Sequence, residues 1–254
     1  MRNILTISQK EIKSYFVSPI AYALMAIYAI VSGFFSYVAI GYFLDRSIGA
    51  MAGRGGPMDV NEWVIRPVIM NVGVISLFLI PMITMRLFAE EKRSGTIELL
   101  ITSPVRDYEI VVGKWLGALA MYSCILSLTF LNLSVLFLFG SPDWRPVLTG
   151  FLGMLLQGGC LLAIGAFLSN TTKNQIMAGA MTFGVSLLMW TFDWFTGFKS
   201  DAWAKVLAYL SLTAHFEPFS KGVIDSKDVI FYVSVIVFGL FLTTRSLESL
   251  RWRA

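Results

Sequence analysis

Histidine, cysteine and charge are all scarce in this chain. His215 is the one histidine in 254 residues, so no His-x-x-x-His zinc pair exists and no serine–histidine arrangement can be read from spacing. His215 and Glu217 stand two apart in the sequence, and two groups do not complete a metal site. No metal or other cofactor is expected. The two cysteines, Cys124 and Cys160, fall inside apolar runs and read as buried small hydrophobes, with no disulfide framework. A phosphate-binding loop is also missing. Gly113-Lys114 is followed by Trp115, and Tyr108 stands where the first glycine of such a loop would be. The chain is therefore expected neither to bind nor to hydrolyse ATP. No continuous row of ionisable groups crosses its apolar runs, which argues against an ion-coupled pump or channel.

Hydrophobic residues make up 56% of the chain and charged ones 14%, where soluble domains carry about 25% charge. With a mean hydropathy of +0.71, this is the composition of one integral-membrane domain, 1–254. A hydrocarbon core about 30 Å thick needs roughly 20 apolar residues of helix. Six segments qualify: 19–43, 65–86, 110–139, 147–168, 175–195 and 228–246. The expected fold is all-α, with both termini in the cytoplasm. On that orientation twelve of the twenty lysines and arginines lie inside and eight outside, a moderate positive-inside bias. The same bias accounts for the formal charge of +4 without nucleic acid, since no basic stripe with interleaved aromatics is present.

Residues 2–17 read as an interfacial helix (1–18 with its connection), with Ile4, Leu5, Ile12 and Phe16 at helical spacing. The glycine-rich outer loop 44–64 should be mobile. Outer loop 196–227 is too long for a turn, and Trp203, Val206, Leu207 and Leu210 in it suggest short helices dipping into the outer leaflet. Asp193, between Trp190 and Trp194, reads equally as a pathway residue or as an interfacial one. With His215 and Glu217 it forms a candidate outer gate. Asn71, Asn132 and Gln157 should hydrogen-bond between helices, and Gly113/Gly117 and Ala180/Gly184 have the spacing of close helix contacts.

The densest charge lies between spans 2 and 3, in loop 86–109. Arg86, Glu90 and Arg93 share a helical face at i, i+4, i+7, so span 2 can continue as helix into the cytosol. Gly95 permits a reversal. Thr96 to Ile101 can form a short surface helix with Glu98 on it and Leu99 and Leu100 facing inward. Ser103-Pro104 reads as a stop and a new start, and Asp107 and Glu109 favour the positive end of the next helix. This is either an elbow that takes motion from a soluble partner or a solvated connector.

The pattern Arg86-x-x-x-Glu90-Glu91-x-x-x-Gly95-Thr96-x-Glu98-x-Leu100-x-x-x-Pro104-Val105, followed by Gly113-Lys114, resembles the loop after the second span in type-2 ABC transporter permeases. His215-Phe216-Glu217, Lys221-Gly222-Val223-Ile224-Asp225 and the tail from Leu247-Glu248 to Arg251-Trp252 are similar to the gliding-motility-associated permease subunit and the nitrous-oxide-reductase maturation permease. The resemblance covers essentially the whole chain. It implies six transmembrane helices and a multi-pass protein of the bacterial cytoplasmic membrane. It also implies a second permease copy or paralogue, and a separate cytosolic ABC ATPase that binds ATP and Mg. An extracytoplasmic auxiliary subunit and membrane lipid complete the expected partners. On this resemblance Glu90, Glu91 and Gly95–Glu98 map to a coupling helix, with Arg86, Arg93 and Pro104 around it. The expected function is the permease half of an ATP-driven exporter. A mechanical or scaffold subunit of a gliding or secretion complex, and an intramembrane enzyme using Asp193, His215 and Glu217, are the alternatives.

Overall fold

The computed structural model describes residues 2–49, 59–139, 142–197 and 202–251. The glycines at 53, 55 and 56, and the terminal Trp252 and Ala254, lie outside the described residues. Helix α1 (Arg2–Val17) leads into α2 (Pro19–Gly49), the first of six helices long and apolar enough to cross a membrane. The second is α3 (Arg66–Thr84), entered through a π-helical turn at Asn61–Ile65 with Pro67 in the first turn, where its missing N–H costs nothing. Two short helices, α4 (Ala89–Ser94) and α5 (Ile97–Thr102), form the elbow before α6 (Asp107–Phe139). Helices α7 (Arg145–Thr171), α8 (Gln175–Thr191) and α11 (Ser226–Arg251) complete the spans. Between the last two lie a 3-10 turn (Phe192–Gly197), α9 (Ala202–Tyr209) and α10 (Leu212–Ser220), the short outer helices expected there.

Helix α7 is the axis of the bundle, with α3, α6, α8, α10 and α11 packed around it. Its glycines make that possible. A Cβ on Gly158 would stand 2.1 Å from the Tyr122 ring, and one on Gly165 would stand 2.6 Å from Thr84 Oγ1. Without a hydrophobic drive between helices in lipid, such close backbone approach supplies much of the cohesion. Buried polar pairs supply more: Tyr122 Oη lies 2.7 Å from Ser76 Oγ, and Asn132 Nδ2 donates to Ser32 Oγ at 3.4 Å.

Gly113 and Gly117 do mark a close helix contact, and the partner is α1. A Cβ on Gly117 would come within 2.6 Å of Glu11 Cβ and 3.2 Å of the Ser8 carbonyl, and one on Gly113 within 2.8 Å of Ile7 Cβ. Helix α1 therefore lies along the start of α6 with Ser8 and Glu11 buried, while Leu5 from the expected apolar face stays exposed. Ala180 is exposed and Gly184 has no other side chain near it, so that small-residue pair faces away from this chain.

Candidate functional site

Helix α3 stops at Thr84, four residues turn, and α4 restarts at Ala89, so span 2 does not run unbroken into the elbow as the charge spacing suggests. A broken helix frees backbone groups that must find partners when buried. Here each partner belongs to a different element. The Ile83 carbonyl accepts from Tyr15 Oη of α1 at 3.1 Å, and the Leu87 carbonyl accepts from Lys114 Nζ of α6 at 2.8 Å. Ser169 of α7 accepts from the Phe88 and Ala89 amides, both at 3.1 Å, and its hydroxyl reaches the Met85 carbonyl at 3.4 Å. That uses the one donor and two acceptor positions of a serine hydroxyl. Burial, with Glu11 adding, pushes the Tyr15 hydroxyl's pKa up, so it remains a donor.

Lys114 is the centre of this region. Its side chain is 2% exposed and its three N–H groups go to the Leu87 carbonyl, to Glu11 Oε1 at 2.8 Å and to Glu91 Oε1 at 2.9 Å. Lys10 approaches the same Glu91 oxygen at 3.6 Å, and the Phe88 ring centroid lies 5.3 Å from the ammonium. Two carboxylates and two ammonium groups balance the local charge, which a buried cluster requires. Helices α1, α4 and α6 are thereby tied at one point.

The expected coupling residues divide between two faces. Glu91 points inward to Lys114, where an exposed charge was expected. Arg86 holds Glu90 through Nε at 2.8 Å and Nη2 at 3.2 Å, and its Nη1 donates to Ser18 Oγ at the α1–α2 junction. Lys92 donates to the Asn170 carbonyl. Arg93, Thr96, Glu98 and Pro104 are exposed. Gly95 adopts φ 77°, the left-handed reversal its identity allows. Leu99 is 73% exposed, whereas Ile97 and Leu100 pack against the core. On a helix Leu99 lies about 200° from Ile97 and about 100° from Leu100, so it does not share their face. Pro104 opens no helix. Helix α6 begins at Asp107, with the Glu109 carboxylate accepting from the Arg106 amide at 3.2 Å, the return half of a capping box.

Sequence spacing did not single out Lys114, Glu11, Tyr15 or Ser169 for this site. Lys114 left a signal, being a lone lysine in an apolar run flanked by two glycines four apart. Ser169 left none, because its role exists only against the break in span 2.

At the other end of the bundle the structure brings Asp193 and Glu217 near enough for their charges to interact, but turns His215 away from both. His215 is buried, with Nδ1 2.6 Å from Asp228 Oδ1 and Nε2 2.8 Å from the Tyr209 carbonyl. A carbonyl only accepts, so Nε2 carries a hydrogen. The ring stacks on Phe231 with centroids 4.0 Å apart, and the residue clamps α10 to α9 and α11. Glu217 accepts from Arg66 at 2.9 Å and Lys221 at 2.8 Å. The Lys221 hydrogen bond, followed by the charges of Lys221 and Arg66, holds its carboxyl below the usual range. Asp193 lines a separate cavity with Asn71, Gln157 and Trp190. Among the described residues no group of three or more His, Cys, Asp or Glu side chains could hold a metal ion.

A family model described as ABC-2 family transporter protein matches residues 60–244, well over half of the chain. No curated protein matches it. The chain belongs to the ABC-2 transporter family and is a multi-pass permease component of an ABC transporter, a transport component that is not itself catalytic. Membership implies a cytosolic ATPase partner, generally in a dimeric assembly.

Proposed function

We propose that this permease works as an exporter subunit whose α4–α5 elbow receives the closing motion of its cytosolic ATPase. The observation that carries the reading is the two-sided elbow. One side presents Arg93, Thr96, Glu98 and Leu99 to solvent, while the other is tied to α1, α6 and α7 through Glu91, Leu87 and the Ser169-capped break. An apolar Leu99 among charges has the makeup of a small docking knob, with the charges guiding encounter. Force applied there reaches three elements at once, because none of the ties can be stretched without exposing a buried polar group. Both termini and the elbow lie in the cytoplasm on this reading, and a second permease copy completes the assembly.

The test uses the permease purified with its ATPase. The double substitution Glu98→Lys, Leu99→Asp touches only exposed side chains, so insertion and thermal stability should stay at wild-type values. Association with the ATPase, or stimulation of hydrolysis by the permease, should fall at least tenfold. A variant that assembles and transports like the wild type would reduce the elbow to a connector. Reporter fusions should place Ala254 and the 94–104 segment in the cytoplasm and Gly55 outside.

A further inference from the structure

Three cavities follow one face of span 2. The outermost, about 500 Å³, is polar and bounded by Asp59, Glu62, Arg66 and Lys221. The next, about 440 Å³, shares Glu62 and Arg66 and reaches Met70. The innermost, about 200 Å³, starts at Met70 and ends at Gln157. Residues 62, 66, 70 and 74 are four apart, so they form one stripe along the helix from the outer mouth inward. The stripe begins in the π-helical turn Asn61–Ile65, a feature often found at functional sites.

The inner end carries a polar group with no protein partner. Gln157 is 4% exposed and its Oε1 makes no hydrogen bond, and Thr213 Oγ1 on the same cavity makes none either. Gln157 stands twelve residues into α7, about 18 Å along the helix axis, where a buried acceptor without a donor is costly. Gly73 leaves the opening in front of it, since a Cβ there would stand 3.6 Å from that oxygen. Asp193 adds a carboxylate, and Trp190, Trp194 and Phe216 supply aromatic walls. The Phe78 and Phe183 rings lie 5.0 Å apart farther in along spans 2 and 5, while Val74 and Trp194 at the cavity are exposed on the bundle surface. The volume suits a polar head group better than a water or two.

We propose that this inner cavity binds a primary ammonium group, received along the span 2 stripe. Gln157 Oε1, Thr213 Oγ1 and the Asp193 carboxylate accept its N–H bonds, and the aromatic walls favour its charge. Arg66, one turn outward from Met70 and paired with the half-exposed Glu217, can exchange that carboxylate for the phosphate that accompanies an ammonium in an aminophospholipid. The site deepens the transport reading by naming a cargo class, yet binding needs no ATPase and can be measured without it.

Native mass spectrometry of the full chain in detergent, titrated with lysophosphatidylethanolamine and with lysophosphatidylcholine, reads the site directly. The two probes differ in whether the ammonium carries N–H donors. The first should bind about tenfold more tightly. Gln157→Leu removes the acceptor while keeping bulk, and should abolish that preference while raising the melting temperature, since an unpaired buried polar atom is lost. Gly73→Ala adds one methyl at ordinary contact distance and should weaken the preference severalfold without unfolding. Ethanolamine as a competitor separates the sources. Displacement assigns the site to soluble amines and its absence assigns it to the lipid, and either supports an ammonium site. Equal binding of the two lysolipids, or an unchanged preference in both variants, overturns it. Loss of the preference with coupling to the ATPase intact leaves the transport reading standing.

Discussion

Two charged knots sit at opposite ends of span 2, and they are mirror images. At the elbow end, in the inner knot, one buried cation, Lys114, is held between two carboxylates, Glu11 and Glu91, with the exposed Lys10 3.6 Å from Glu91. At the opposite end, in the outer knot, one carboxylate, Glu217, is held between two cations, Arg66 and Lys221. The distances about Lys114 and Glu217 match within 0.1 Å, so geometry does not distinguish them. Burial does. The Lys114 side chain is 2% exposed, against 31%, 45% and 48% for the outer three. Water reaches every partner in the outer knot, whereas in the inner one it reaches Lys10 but not Lys114. The outer knot is therefore expected to exchange its partners readily, and the inner one to hold its partners.

The largest expected effect comes from breaking the inner knot on one side only. Lys114→Met leaves Glu11 without its counter-ion and Glu91 with only the exposed Lys10 at 3.6 Å, and should cost about 3–5 kcal/mol, seen as a sharp drop in melting temperature and accumulation. Adding Glu11→Gln and Glu91→Gln removes the stranded charges and should restore most of the loss. If the single variant is as stable as the wild type, the inner knot is not the rigid one. Ser169→Ala takes the acceptor from two buried amides at the break and should cost on the order of 1–3 kcal/mol. Its effect should appear as faster hydrogen exchange at Phe88 and Ala89, with protection of the outer helices unchanged. Uniform loss of protection would instead mean a global defect.

The outer knot should respond least. Glu217→Gln is expected to cost below about 1 kcal/mol, and 1 M salt should erase the difference from wild type while leaving the Lys114→Met deficit in place. Acid should do the same. Glu217 has a depressed pKa, so its contribution is complete above the ordinary carboxylate value and fades as pH falls through the lower folded one. Wild type and Glu217→Gln should therefore converge in melting temperature below about pH 4. A gap that persists in acid or high salt would show that the outer knot is closed to water and would erase the contrast between the two ends.

Much of the architecture could be read from the chain alone. Runs of about twenty apolar residues admit only helices in a bilayer, because every backbone group must be satisfied within its own segment. The six spans, the reversal at Gly95 and the acidic first turn of α6 follow from local rules of this kind. What tertiary structure decided was which face each residue presents. Glu90 and Glu91 are adjacent and chemically alike, yet the first pairs with Arg86 at the surface and the second closes on Lys114 inside, because neighbouring residues lie about 100° apart on a helix. Leu99 and Leu100 part company for the same reason. The break in span 2, the serine that caps it from α7 and the unpartnered Gln157 oxygen depend on residues far apart in sequence. Only packing brings them within hydrogen-bond reach or leaves them without a partner.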